Sequence, residues 1–153
     1  MLEWLESSNL AAFIRSSGLL YPIIEIIHIV GFVILVGAAF MFDLRLLGLS
    51  KKLSITDLAK HLLPWSRRSL VLVIPSGILL FIANATSVGS NPVFYLKLFL
   101  ILAAFINAAV FHRFSYPSAK DRFSSSISYK VTAILSILFW IGVLSCGRFL
   151  AYL

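Results

Sequence analysis

Four stretches of the chain are almost wholly apolar, and each is about twenty residues long: Tyr21–Phe42, Ser66–Ala85, Val93–His112 and Tyr129–Leu150. That length matches the hydrocarbon thickness of a bilayer when the backbone is helical. In lipid every peptide group must be paired within the segment, so these stretches are read as helices and not as open strands. Polar positions interrupt them sparsely: Glu25 and His28 in the first, Lys97 and Asn107 in the third, Arg148 near the end of the fourth. The connections are punctuated differently. Residues 43–65 read as a polar loop with one short helix, capped by Ser54 or Thr56 and ended by Pro64. Residues 86–92 read as a tight turn, and 113–128 are basic and rich in serine. Pro75 and Gly77 predict a kink in the second span, with Ser76 placed to satisfy a freed carbonyl. Gly31, Gly37, Ala38 and Ala39, and Ala103, Ala104, Ala108 and Ala109, predict close helix approach.

Before the first span, Leu2, Trp4, Leu5, Leu10, Phe13 and Ile14 fit an amphipathic helix lying in the interface, with Gly18 as terminator. Glu3 and Glu6 replace the basic start of a signal peptide. The expected architecture is all-α: a four-helix transmembrane bundle, up-down-up-down, with an N-terminal interfacial helix, forming one integral membrane domain over residues 1–153.

Composition sharpens this reading. The hydrophobic fraction is 60% and the charged fraction 12%, which excludes a soluble globule of 153 residues, a disordered chain and a disulfide scaffold. Cys146 is the single cysteine. The net charge of +7 is distributed by side. Arg15, Lys97 and Arg148 lie with the termini and the 86–92 turn, whereas the other ten of the 13 basic residues flank the remaining two loops. The basic side is expected to be cytoplasmic, so both termini should be periplasmic, in a bacterial inner membrane. The charge is therefore a topology signal with some attraction to anionic lipid, and nucleic acid is not an expected partner, since no basic stripe with interleaved aromatics occurs.

Ionisable groups inside spans cost about 2.5–3.5 kcal/mol for Arg, Lys or Asp on insertion scales and mark functional candidates. By helical rise, Glu25, His28, Lys97 and Arg148 fall at the same, outer depth. Glu25 and His28 share a helix face, and Glu25 can pair with Lys97 or Arg148. Such a cluster can also be a purely structural network, with Lys97 and Arg148 reaching outward. At the inner end lie Asp43, Arg45, His61, Arg67, Arg68 and His112. Arg45, Arg67 and Arg68 are expected to meet headgroups or to pair with Asp43, which shares a face with Glu25 about 27 Å away. His28 and His112 lie about 20 Å apart in depth and cannot share one iron, whereas His61 and His112 can. A tetrahedral zinc site is disfavoured because the histidines do not converge.

The segments YPIIEIIHIVGFVILVGAAFMFDLRLLG (21–48), LLPWSRRSLVLVIPSGILLFIANAT (62–86) and NPVFYLKLFLILAAFINAAVFHR (91–113) resemble a family of bacterial four-span inner-membrane proteins of unknown function. The resemblance covers about residues 1–113. The pattern His28-Ile-Val-Gly31, with Lys97-Leu in the third span and His112 at its end, is similar to the J-type protoporphyrinogen oxidase family and to the copper-resistance D family of membrane proteins. It departs from the oxidase pattern at Asp43-Leu44-Arg45 and in lacking the aromatic that follows the glycine region. That similarity implies a haem b ligand at His28 and a functional role for Lys97. The expectation is a small redox protein that binds haem b through His28, with Lys97 and Arg148 at the haem propionates. It would pass electrons between a periplasmic partner and the membrane. The alternatives are an accessory or assembly subunit whose cluster Glu25, Asp43, Arg45 and Asn107 is structural, and a small proton- or metal-handling transporter.

The charge asymmetry is tested by topology reporters. A reporter after Leu153 should signal outside and one within 113–128 inside; the reverse pattern would place the Glu25–His28 end in the cytoplasm.

Overall fold

The computed structural model describes residues 1–49, 51–115, 127–150 and 152. The basic, serine-rich stretch 116–126 lies outside the described residues. The rest is helical almost throughout: α1 (Leu2–Glu6), α2 (Asn9–Ser16), α3 (Leu20–Leu46), α4 (Ile55–Ala83), α5 (Ala85–Ser90), α6 (Pro92–Val110), a π-helical turn (Phe111–Ser115) and α7 (Ile127–Phe149). Four segments, Leu20–Leu46, Ile55–Ala83, Pro92–Arg113 and Tyr129–Phe149, are long and apolar enough to cross a membrane. Their large side chains are turned outward: Val33, Val71, Phe99 and Leu138 are all exposed. A surface built this way is stable against acyl chains and not against water. The four-span expectation holds, and four apolar helices fit an integral membrane protein.

Two expected boundaries move. The first span does not stop at Phe42; it runs past the buried Asp43 to Leu46. Gly48 adopts φ +99°, and the backbone N–H groups of Gly48 and Leu49 donate to the carbonyls of Arg45 and Leu44. This glycine-dependent stop satisfies carbonyls that the helix end would leave bare. Pro64 does not end a helix either. The expected short helix and the second span are one element, α4, which begins at Ser54 and contains both Pro64 and Pro75. Ser54 Oγ accepts from Asp57 N at 3.3 Å, as expected of a cap, and the Asp57 carboxylate favours the helix N-terminus. The expected 86–92 turn contains a short helix, α5, and Asn91 then caps α6 with Pro92 in its first turn.

The N-terminal segment is two helices, joined at Ser8, whose Oγ accepts from Ala11 N at 3.2 Å. They are fastened to the α4–α5 junction by polar bonds. Arg15 donates to the Ala83 carbonyl at 2.7 Å and to the Glu6 carbonyl at 2.8 Å. Glu6 Oε2 accepts from Thr86 N at 2.7 Å, taking the place of the missing side-chain cap on α5. We call this end of the bundle, where both termini lie, the proximal end.

The four spans form two antiparallel pairs, α3 with α4 and α6 with α7, joined by packing of α3 on α7. Among the described residues the backbones of α4 and α6 do not approach each other. The tightest contact is at Gly31 of α3. A Cβ built there would stand 2.9 Å from Leu72 Cβ and 2.9 Å from Val73 Cγ2 of α4. A Cβ on Gly37 would meet nothing within 4 Å. Three apolar clusters fill the interior along its length: around Ile14, Ile24 and Ala83 proximally, around Leu35, Ala104 and Trp140 in the middle, and around Phe42, Phe111 and Ala133 distally.

Gly31→Leu should force α3 and α4 apart and lower the thermal midpoint in detergent. The cost is at least that of ordinary overpacking, about 1–3 kcal/mol. Gly37→Leu should leave the midpoint within error, and equal losses for the two would show that the close approach at Gly31 does not exist. The N-terminal clamp has a pH signature. The hydrogen bonds from Thr86 hold the Glu6 carboxyl below its usual range, with a smaller contribution from Arg15. A depressed carboxylate stabilises above the unfolded-state pKa and loses that contribution as pH falls through the lowered value. Proteolytic release of residues 1–16 should therefore rise in acid for the wild type. In Glu6→Gln it should be high at neutral pH and insensitive to acid.

Candidate functional site

Because α4 and α6 stay apart, the bundle keeps space between its two pairs. The larger cavity, about 570 Å³, lies in the proximal half and is bounded by all four spans. Its walls are mostly apolar and aromatic, and Tyr21, Glu25, His28 and Lys97 are its charged or titratable lining residues. Phe81 of α4 and Phe94 of α6 stack across it with ring centroids 5.2 Å apart. Of the four residues expected at this depth, three are therefore brought together.

Arg148 is the fourth, and it does not join them. Its guanidinium lies over the Tyr152 ring, 4.6 Å from the centroid, and donates to the Tyr152 hydroxyl. It is exposed and absent from the cavity wall, so the expected pairing of Lys97 with Arg148 at two ligand carboxylates loses one partner. Lys97 turns inward instead, its Nζ 3.8 Å from where a Cβ would stand on Gly147 of α7. Glu25 is exposed at the mouth, with the Tyr21 phenol as a charge-coupled neighbour on the same face. Tyr21 in turn accepts from Asn84 Nδ2 at 3.3 Å.

His28 is held by a feature of α4 that begins with Pro75. A proline inside a helix removes one N–H and pushes the preceding turn open. Ser76 answers by donating its hydroxyl back to the Leu72 carbonyl. His28 Nδ1 sits 3.1 Å from the Val73 carbonyl and 3.0 Å from Ser76 Oγ. A carbonyl only accepts, and the Ser76 proton is used on Leu72. The proton is therefore assigned to Nδ1, which leaves Nε2 as a lone-pair nitrogen. Gly77 leaves room for the ring: a Cβ there would come within 3.0 Å of His28 Cε1. Ser76 bonds a carbonyl of its own helix, that of Leu72, whereas the carbonyl that Pro75 deprives of a donor is that of Val71; its contact with His28, across two helices, is not visible in the spacing.

A second cavity, about 380 Å³, lies in the distal half. Asp43, Ser66, Arg67, Asn107, His112 and Ser136 line its polar side. Asp43 is only 6% exposed, and its Oδ2 has no hydrogen-bond partner among the described residues. The Ser136 hydroxyl is set against the same carboxyl. The pairing of Asp43 with Arg45 or Arg68 expected from sequence does not supply that partner. Arg45 donates to the Leu53 carbonyl at 2.7 Å and to the Lys51 carbonyl at 3.3 Å, and Arg68 lies over Trp65. Asn107 donates to the Thr132 carbonyl at 3.0 Å and ties α6 to α7. His61 is exposed on α4 and is not part of the wall that His112 joins, so the structure does not bring the expected inner pair of histidines to one cavity. Among the described residues no three or more His, Cys, Asp or Glu side chains converge on a metal-sized site.

The two cavities share four wall residues, Leu35, Leu70, Phe105 and Trp140. One layer of side chains therefore divides them.

No curated protein and no solved structure matches the chain. A family model matches all of it, residues 1–153, under the description "Family of unknown function (DUF6644)". A four-helix membrane protein with a histidine-bearing proximal cavity and an acidic distal one, this chain belongs to that family.

Proposed function

We propose that the proximal cavity is the site of a b-type haem, which His28 Nε2 would hold, and that the protein is a small membrane redox carrier. The observation that supports this reading is the placement of His28 Nδ1, 3.1 Å from the Val73 carbonyl and 3.0 Å from Ser76 Oγ. Histidines that bind metals donate their other ring N–H to a carbonyl, carboxylate or water, which orients the ring and raises its basicity. His28 does this toward Val73 and Ser76. A volume of about 570 Å³ with aromatic walls suits a large planar apolar ring. Lys97, half-buried on the same wall, is positioned to meet a ligand carboxylate.

Bound haem would supply a one-electron couple. The chain's own residues do the rest. Ser76 and Val73 orient the imidazole, Phe81 and Phe94 close the proximal side of the space, and Trp140 forms part of its floor.

Purification from haem-replete cells followed by reduced-minus-oxidised spectroscopy tests this directly. The wild type should show a Soret band with sharp reduced bands. His28→Ala should abolish them while retaining the wild-type elution profile in detergent, and His61→Ala and His112→Ala should leave them intact. Ser76→Ala should keep the band but weaken haem retention roughly 10–100-fold, as loss of an outer-shell partner does. A colourless wild type after haem supplementation would end the haem reading, and a band lost only in His112→Ala would move the haem to the distal cavity.

A further inference from the structure

The distal cavity carries its own chemistry, independent of the haem reading. A carboxyl oxygen that is buried without a donor loses its hydration and gains nothing in return. Asp43 Oδ2 is in that position, 6% exposed, on the wall of a space of about 380 Å³. The missing partner is a hydrogen-bond donor that enters the cavity. Its class is narrowed by the remaining walls. The volume is that of a small organic ligand and far exceeds a lone ion. Four aromatic rings, those of Phe42, Phe105, Phe111 and Trp140, line it, which favours a flat aromatic ligand. Arg67 shares the wall and disfavours a cationic ligand while offering donors to an oxygen. Among the described residues the backbones of α4 and α6, on either side of the space, do not approach each other, which leaves a lateral way in from the acyl chains. The ligand therefore has an apolar tail or body.

We propose that the distal cavity binds a lipid-soluble hydroquinone, one ring hydroxyl donating to Asp43 Oδ2 and Arg67 facing a ring oxygen. A diphenol offers the donor that the carboxylate lacks and the oxygen lone pairs that the guanidinium takes. The oxidised quinone keeps the lone pairs and loses the donors. The site therefore prefers the reduced form.

Equilibrium binding to the purified, haem-free protein in detergent tests the proposal with three probes: an alkyl-p-benzoquinol, its dimethyl ether and the matching quinone. The quinol should bind saturably. The ether, of nearly the same shape but without a donor, should bind at least tenfold more weakly, and so should the quinone. Asp43→Leu should reduce quinol affinity to the level of the ether without lowering the thermal midpoint, because an apolar side chain replaces a half-satisfied polar one. Equal binding of quinol and ether to the wild type would overturn the proposal without any variant being needed. Undiminished quinol binding by Asp43→Leu would overturn it as well. Because haem-free protein is used, the result stands apart from the outcome of the His28 spectra.

Discussion

The interior of this bundle depends on the close approach of α3 to α4 at Gly31. In a bilayer apolar side chains gain little by leaving lipid for protein, so helix association rests on van der Waals fit and on polar contacts. With no Cβ on Gly31, Leu72 and Val73 seat directly on the α3 backbone. That seat places His28, almost one turn earlier on α3, beside the opened turn around Pro75 and Ser76. It also commits α3 to a second partner, α7, on another face. Once α3 holds both α4 and α7, α6 is carried on α7 alone, and the space between α4 and α6 is bridged by side chains instead of backbone packing. Both cavities follow from this asymmetry.

Polar groups within the spans are expensive unless each finds a partner. Most of those described here do. Asn107 ties α6 to α7, Asn84 meets Tyr21, and Ser69 and Ser76 bond back to their own helix. Asp43 stands apart, since a carboxylate oxygen has been carried into the interior and left bare. Its place on the wall of a cavity is the physical ground for the ligand proposed there.

The spans, their order and the common depth of Glu25, His28 and Lys97 were legible because length and hydropathy alone decide them. Element ends were less so. The polar side chain of Asp43 reads as the edge of the membrane, yet Gly48 is the residue that ends α3, and a glycine followed by a polar run was the available signal. Pro64 reads as a stop because soluble helices seldom tolerate it, whereas α4 continues through it and through Pro75. Rotation about each helix axis was not legible at all. Depth places Arg148 level with Lys97, but their azimuths differ, and only packing decides that Lys97 turns inward while Arg148 reaches Tyr152. Ser76 was visible as a carbonyl partner, but its meeting with His28 depends on the Gly31 contact.

The layer shared by the two cavities gives the arrangement its functional sense. Leu35, Leu70, Phe105 and Trp140 come from all four spans, and they are the wall of both spaces. Phe32 and Phe105 each meet the Trp140 ring edge-on, with centroids 6.0 and 6.4 Å away, so the indole is fixed by contacts on either side of the divide. The proposed ligands of the two halves would be separated by these four side chains, one from each span.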